Sequence, residues 1–429
     1  MADVPQKPTG KLPPLPWMTA PETRAIFAAL EAGGKEARFV GGCVRNAVFG
    51  IEVKDIDIAT PEKPERVMEL LEAAGIKAIP TGIEHGTVTA IIDSHPYEIT
   101  TLRVDVENHG RHASVAFTDD WLADALRRDF TINTLSSTLD GDIYDPLSGI
   151  EDIALRWVRF VGIARERIEE DLLRLLRFFR FQAMFGNRSI DKDALAACRL
   201  LAPRLNELSA ERVRSELFRI LEAPNPADTL ILMKGERILE HFLPEAENFG
   251  RLRMIYWLET TAINVPNVKP DPLRRLTATL SNDPAGHEAL AQRLRLSKKQ
   301  SARMAVMTGD LNAPTPEMSE LERDLALFDL GSEGFRDLVL LQWAQEMSVE
   351  PRRRPERSLA WLALIDAADT WTQPIFPIKG KDALDLGLEH GPTIGTVLDA
   401  VETWWRDGGF KAERELCLGQ LKKVIEDKT

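Results

Sequence analysis

Two aspartates one residue apart, Asp55 and Asp57 in "KDIDIAT", are the first residues of this chain with chemistry in their spacing. In a strand, residues two apart share a face, so both carboxylates project together while Ile56 and Ile58 turn into a core. Like charges held that close repel unless a cation lies between them. Mg2+ suits such a place, being hard, oxygen-liking and commonly shared between carboxylates and substrate phosphates. Taken alone, an Asp-x-Asp is equally a polar strand face at a loop edge. A third acid, Glu98 in "YEITTLR", falls on another strand with Tyr97 and Ile99 facing the other way. Three acids on neighbouring strands meet the needs of a two-metal phosphoryl transfer. One cation activates an attacking hydroxyl and the other neutralises a leaving pyrophosphate.

Just upstream, "FVGGCVRNAV" has the makings of a phosphate cradle. Gly41 and Gly42 leave backbone N–H groups unobstructed at a helix start, where the helix dipole favours anions. Arg45, one turn in, can add a charge-assisted contact to a phosphate oxygen. The pattern is neither a Walker loop nor a dinucleotide GxGxxG, and a plain strand-to-helix turn would also need glycine. In "RRDFTIN", Arg128 is a candidate phosphate contact, and Asp129 and Asn133 are candidate ribose partners. A capping and ion-pair cluster at a helix start fits that stretch equally well.

The run "RERIEEDLLRLLRFFRF" (165–181) reads as one helix. Leu172, Leu175, Leu176 and Phe179 form its core stripe, and Asp171, Arg174 and Arg177 fall three apart on an adjoining one. An aspartate accepts from, and an arginine donates to, the Watson–Crick edge of a base, so an Asp/Arg pair can read a base without a complementary strand. A simple i, i+3 salt bridge is the alternative.

The elements that must position these residues are mixed in the first third and helical afterwards. "ARFV" and "DIDIAT" read as strands, "CVRNAVFG" as a helix stopped by Gly50, and "PERVMELLEAAG" as a helix with Pro at its start and Gly at its end. "GTVTAIID" and "YEITTL" read as a hairpin joined by "SHP". From about residue 151 the apolar spacing is helical, as in "SAERVRSELFRILEA". The fold expected is α+β: an α/β head at 24–150, then helical segments at 151–223, 224–345 and 346–429. Residues 1–20 are Pro-rich and read as a loose arm.

Bulk properties bound the rest. A chain of 429 residues, 44% apolar, can build a core without disulfides. Cys43, Cys198 and Cys417 lie far apart with no metal-ligand spacing, which reads as buried thiols in a reducing compartment. No apolar run is long enough to span a membrane, so the expected location is cytoplasmic and no membrane partner is expected. The net charge of −13 argues against a nucleic-acid partner, but residues 151–223 hold 14 Lys+Arg against 12 Asp+Glu. Any polyanion binding must come from such local clusters.

Six motifs in order, "GGCVRN…KDIDIAT", "YEITTLR", "RRDFTIN", "DPLSGIEDI", "RFVG…RIEEDLLRLLRFFRF" and "LSAERVRSEL", resemble the class II tRNA nucleotidyltransferases, the CCA-adding enzymes. The bacterial poly(A) polymerases share that framework. The match covers about residues 37–220, and residues beyond about 250 match nothing by motif. The resemblance implies a polymerase-β-like nucleotidyltransferase head followed by helical neck, body and tail, with the tRNA acceptor arm, CTP and ATP as partners and Mg2+ as cofactor. It implies Asp55 and Asp57 as metal ligands with Glu98 supporting them, and Gly42 and Arg45 on the triphosphate. Arg128 and Asp129 would sit at the phosphate-ribose region, and Asp171 and Arg174 would act as the base template with Arg177 alongside. Residues 103–117 resemble the family's flexible loop. Poly(A) synthesis, addition of only CC or only A, and a silent RNA-binding relative are the alternatives. One departure stands out: the family loop usually ends in Val-Arg-Asp, whereas this chain has Asn46. An acid there could be a metal ligand, or it could bond to its neighbours, a role asparagine fills nearly as well.

Overall fold

The computed structural model describes residues 7–107, 114–187, 189–260, 268–281, 283–309, 313–350 and 355–427. Among them the strands are β1 (Gly10–Lys11), β2 (Arg38–Val40), β3 (Asp57–Thr60), β4 (Lys77–Gly82), β5 (Thr87–Ile92), β6 (His95–Thr101), β7 (Arg103–Glu107), β8 (Ser114–Phe117), β9 (Ser136–Ser137) and β10 (Asp142–Tyr144). Eight form one sheet in the order β1-β10-β9-β2-β3-β6-β5-β4, and β7 and β8 pair separately. All neighbours in the large sheet are antiparallel except β3 and β6.

That one parallel pairing places Asp57 opposite Glu98 and Ile58 opposite Ile99. Because side chains alternate across a strand, this register puts both acids on one face and both isoleucines in the core. Tyr97, Ile99 and Thr101 of β6 are buried, and Glu98 is exposed. The hairpin turn between β5 and β6 is Asp93-Ser94, both at positive φ. Two successive left-handed residues give the primed turn whose twist suits adjoining strands.

The helices Pro21–Glu31 and Pro64–Ala73 cover the sheet with Ile26, Phe27, Leu30, Val67 and Leu71, all nearly inaccessible. Each such side chain contributes about 1.5–3 kcal/mol on burial. A smaller apolar cluster of Val40, Ala59 and Leu102 packs under Trp121, which opens the helix Trp121–Leu126. This cluster fixes the segment leading into "RRDFTIN" over the strands that carry the acids.

A loose arm is the expectation for residues 1–20, but the described part, residues 7–19, is ordered against the sheet. β1 pairs with β10 at the sheet edge, and Leu12 and Met18 are buried. Burial of two apolar side chains and the edge hydrogen bonds outweigh the loop tendency of the prolines. The run 165–181 is likewise not one helix. Helix Ala164–Glu170 ends at Asp171, which is extended, and a second helix runs Leu173–Phe185. The Asp171 carboxylate accepts from the Leu173 amide (3.1 Å), so it caps the second helix instead of riding within one. The expected core stripe of Leu172, Leu175, Leu176 and Phe179 is buried.

The chain separates into two compact units, residues 1–224 with 228–244, and residues 225–227 with 245–429. The second is helical. Trp343 and Trp361 stack in it 6.4 Å apart, and it also holds a buried charge network in which Glu259 accepts from Arg274 and Arg275 (2.6 Å each). Asp337 accepts from Arg274 and Arg303 (2.8 and 2.7 Å). The charge run at 351–354 falls outside the described residues. No helix among the described residues is long and apolar enough to cross a membrane. The three cysteines are free and buried.

Candidate active site

The turn at Gly41-Gly42 carries the strand β2 into the helix Gly42–Phe49. Gly41 sits at φ 65°, ψ −119°, a region essentially confined to glycine. A Cβ on Gly41 would lie 3.0 Å from Nη1 of Arg128, and one on Gly42 would lie 3.7 Å from Nη2 of Arg45 and 3.9 Å from Asp57 Oδ2. The turn therefore brings bare backbone between two guanidiniums and an acid. The Gly41 amide itself is used, donating to the Leu135 carbonyl (3.1 Å), so any anion here meets the amides that follow it.

Arg45 is held by neutral acceptors. Its Nε and Nη2 donate to Asn46 Oδ1 (3.1 and 2.8 Å), and its Nη1 donates to Asn133 Oδ1 (2.5 Å). Burial, together with Arg180 and Arg177 nearby, lowers its pKa to about 10. Asn46 thus faces the arginine beside it and not the acids.

Asp57 and Glu98 form the acidic floor. Burial, then the Glu98 carboxylate, pushes Asp57 up to about 6, against the opposing pull of Arg128. Asp55 stands in the turn before β3, exposed, close enough to raise Asp57 further but not lining the cavity. Among the described residues no three His, Cys, Asp or Glu side chains are grouped as a metal cage. Strand geometry for "DIDIAT" was expected from Asp55 onward, and the strand begins only at Asp57.

Above this floor, the buried Asp124 carboxylate accepts from Arg127 (Nε 2.8 Å, Nη2 2.6 Å) and from Arg128 (Nε 3.2 Å, Nη2 2.9 Å). Burial alone would raise Asp124, but the two guanidiniums outweigh it and hold the group low. Asp129 accepts from the Phe130 amide, Asn133 Nδ2 and Arg177 Nε (2.9, 2.9 and 2.7 Å). Its burial is likewise overcome by Arg177, keeping it ionised. Both meanings open for "RRDFTIN" are present: a local capping cluster, and charged groups aimed into a cavity.

The wall is built by the helices after residue 164. Asp171 accepts from Arg212 Nη2 (3.0 and 2.9 Å), and Arg174 donates to Glu170 and to the carbonyls of Arg167 and Arg127 (3.1 Å each). The glycine turn, Asp57, Glu98 and the arginines of these segments surround one open cavity of roughly 650 Å3, a volume in the range of small-ligand sites. Nine arginines line it against four carboxylates, Asp57, Glu98, Asp129 and Asp171. Such a lining favours a polyanion that also presents hydrogen-bonding edges.

Of the residues singled out from sequence, Gly41, Gly42, Arg45, Asp57, Glu98, Arg128, Asp129, Asn133, Asp171, Arg174 and Arg177 meet here, and Asp55 stands apart. Sequence reasoning missed Arg103, Arg127, Arg180, Phe181, Arg212 and Arg219. Arg127 was legible as the first half of "RRD", whereas Arg212 and Arg219 come from a later helix, Ala210–Glu222, whose stripe gave no sign of a site. The segment 103–117, read as a flexible loop, is in its described part the paired strands β7 and β8, and residues 108–113 between them lie outside the described residues.

Residues 37–159 match the family described as the Poly A polymerase head domain, and residues 189–249 match a probable RNA and SrmB-binding site of polymerase A. The chain is 31% identical to the mitochondrial CCA tRNA nucleotidyltransferase 1 of Mus musculus over 402 residues, covering 91% of this chain and 87% of that one. It is 30% identical to the CCA-adding enzyme of Streptococcus pneumoniae strain CGSP14, covering 93% and 96%. Among solved structures, the Bacillus stearothermophilus CCA-adding enzyme in complex with CTP superposes with a TM-score of 0.76 at 26% identity, covering 96% of this chain and all of that one.

Proposed function

Because the chain belongs to the CCA-adding tRNA nucleotidyltransferases, we propose that the arginine-lined cavity of its first unit is the catalytic centre, serving CTP and ATP in turn. The enzyme adds C, C and A to the 3′ end of tRNA and releases pyrophosphate. The observation that carries the assignment of the centre is convergence. One cavity gathers the Asp57–Glu98 pair, the glycine turn with Arg45, and the Asp171/Arg174 pair from four separate stretches.

In each addition the tRNA 3′-hydroxyl oxygen attacks the α-phosphorus and gives its proton to solvent, the bond from that phosphorus to the α,β-bridging oxygen breaks, and pyrophosphate leaves. Arg45 and Arg128, on either side of Gly41-Gly42, hold the triphosphate. Asp129 and Asn133, locked together and to Arg177, face the ribose. Asp171 and Arg174 read the base edge: their orientation is set by Arg212 and Glu170, which leave acceptor and donor capacity toward the cavity. Proteins of this family use divalent cations. Asp57, with Glu98 opposite it and Asp55 in the preceding turn, would hold Mg2+. The fit lies in the donor set, hard carboxylate oxygens whose mutual repulsion raises Asp57, which a divalent cation would relieve. When bound, the cation supplies Lewis-acid charge for the hydroxyl and the phosphates. We propose a head (24–150), a neck (151–223), a body (224–345) and a tail (346–429), the last two holding the acceptor arm by shape and backbone contacts; the compact units divide at 244–245, so residues 228–244 of the body group with the head and neck.

Extension of tRNA transcripts that stop before C, C and A tests the reading. CTP alone should add two C residues, CTP with ATP should complete one CCA and stop. An untemplated A-tail grown from ATP alone would move the chain to the poly(A) polymerases.

A further inference from the structure

Three guanidiniums of the cavity converge on one ring. The guanidinium carbons of Arg180, Arg45 and Arg177 lie over Phe181 at 4.5, 5.1 and 5.5 Å from its centroid. Phe181 lines the cavity although it is only 3% exposed. Arg177 is offset by Asp129 and Arg180 by Glu216 (3.1 Å). Arg45 donates its hydrogen bonds to the amide oxygens of Asn46 and Asn133. Among the described residues no carboxylate accepts a hydrogen bond from it; Asp129 and Asp57 act on it only through space, and two like charges stand close by. An aromatic ring face attracts a cation within about 6 Å, and more strongly where water is excluded.

The ring is braced. Phe130 meets it edge-on at 5.0 Å, and Phe185 stacks on it at 5.8 Å. Phe185 in turn stacks at 4.8 Å on Phe49, which belongs to the helix that carries Arg45, and Arg45 also lies 4.7 Å over Phe185. An aromatic row thus links the helix of the glycine turn to the helix of the base-facing residues.

We infer that Phe181 is a positioning residue for the triphosphate: its π face holds Arg45, whose hydrogen bonds go to amide oxygens and not to a carboxylate, beside the glycine turn, in register with Arg177 and Arg180. It does not touch the nucleotide. The inference rests on the reading of the cavity as a nucleotide triphosphate site.

The test replaces Phe181 in the full chain with mono-, di- and trifluorophenylalanine, which weaken the ring quadrupole stepwise at nearly constant size and apolar character. Calorimetric titration with CTP and with inorganic triphosphate gives two affinities, and extension of tRNA lacking CCA gives KM and kcat for CTP. Both dissociation constants and KM should rise with each fluorine, reaching roughly 3- to 30-fold, while kcat stays flat. Phe181→Leu should weaken binding at least as far, and Phe181→Trp should restore much of it. Affinities that do not change along the fluorinated series would overturn the inference. So would equal affinities in Phe181→Leu and Phe181→Trp. Failure of the functional reading is separate: wild-type protein would then add no C to the transcripts, while the inorganic triphosphate titration would still report on Phe181.

Discussion

At the scale of single residues, the site is organised by where charge is compensated and where it is not. Asp57 is left strained: burial and Glu98 raise it to about 6, above the ordinary 3.8. A carboxylate raised in the folded state costs stability wherever it is ionised, so the cost is present above about pH 6 and disappears as pH falls toward 4. In metal-free protein, Asp57→Asn should therefore raise the melting temperature at pH 7.5 by a few degrees, with the gain shrinking at pH 5, while incorporation is abolished. A lowered melting temperature at pH 7.5 would contradict this. Asn46 is a different case. Its oxygen accepts from two nitrogens of Arg45, a task a carboxylate performs as well, so Asn46→Asp should keep CTP incorporation within about fivefold of wild type. Loss on the scale of an Asp57 variant would make Asn46 part of the acid cluster.

At the scale of elements, the glycine turn and the hairpin explain how much the sequence could convey. The period-two pattern around Asp57 and Glu98 and the positive-φ stops at Gly50 and Gly75 were legible because they are local. The parallel register of β3 against β6, which sets the acids side by side, was not, since it depends on distant segments meeting. The break at Asp171 was hidden for another reason: its flanks keep helical periodicity, and the Asp171 side chain supplies the new helix with a cap that any aspartate could offer. The edge strand β1 was missed because prolines dominate its surroundings, while its stability comes from pairing with residues 142–143. For the turn, Gly41→Ala should raise KM for CTP and lower the melting temperature by several degrees. An alanine at φ 65°, ψ −119° is strained by about 1–3 kcal/mol, and its Cβ meets Arg128 at 3.0 Å. Steady-state kinetics and thermal denaturation check both parts.

At the scale of the whole molecule, an acidic chain of net charge −13 concentrates nine arginines in one cavity. A basic site in an acidic body is screened by salt, so CTP and tRNA affinity should both fall between low and physiological ionic strength. The second unit has its own internal electrostatics, with Glu259 wholly buried between Arg274 and Arg275. Removing one partner from such a network leaves buried charge uncompensated, at a cost of about 3–5 kcal/mol. Glu259→Ala should accordingly destabilise the second unit, seen as a lower first transition in calorimetry, while CTP affinity is retained. Loss of CTP binding along with it would tie the nucleotide site to the second unit.

Choice between C and A in one cavity is expected to rest on Asp171 and Arg174. The most direct measurement is the ratio of kcat/KM for CTP to that for ATP, on tRNA ending one C short and on tRNA ending one A short, in wild type, Asp171→Ala and Arg174→Ala. The ratio should collapse toward one on both primers in the variants while primer binding is unchanged. Discrimination preserved in both variants would remove these residues from base reading and contradict the account.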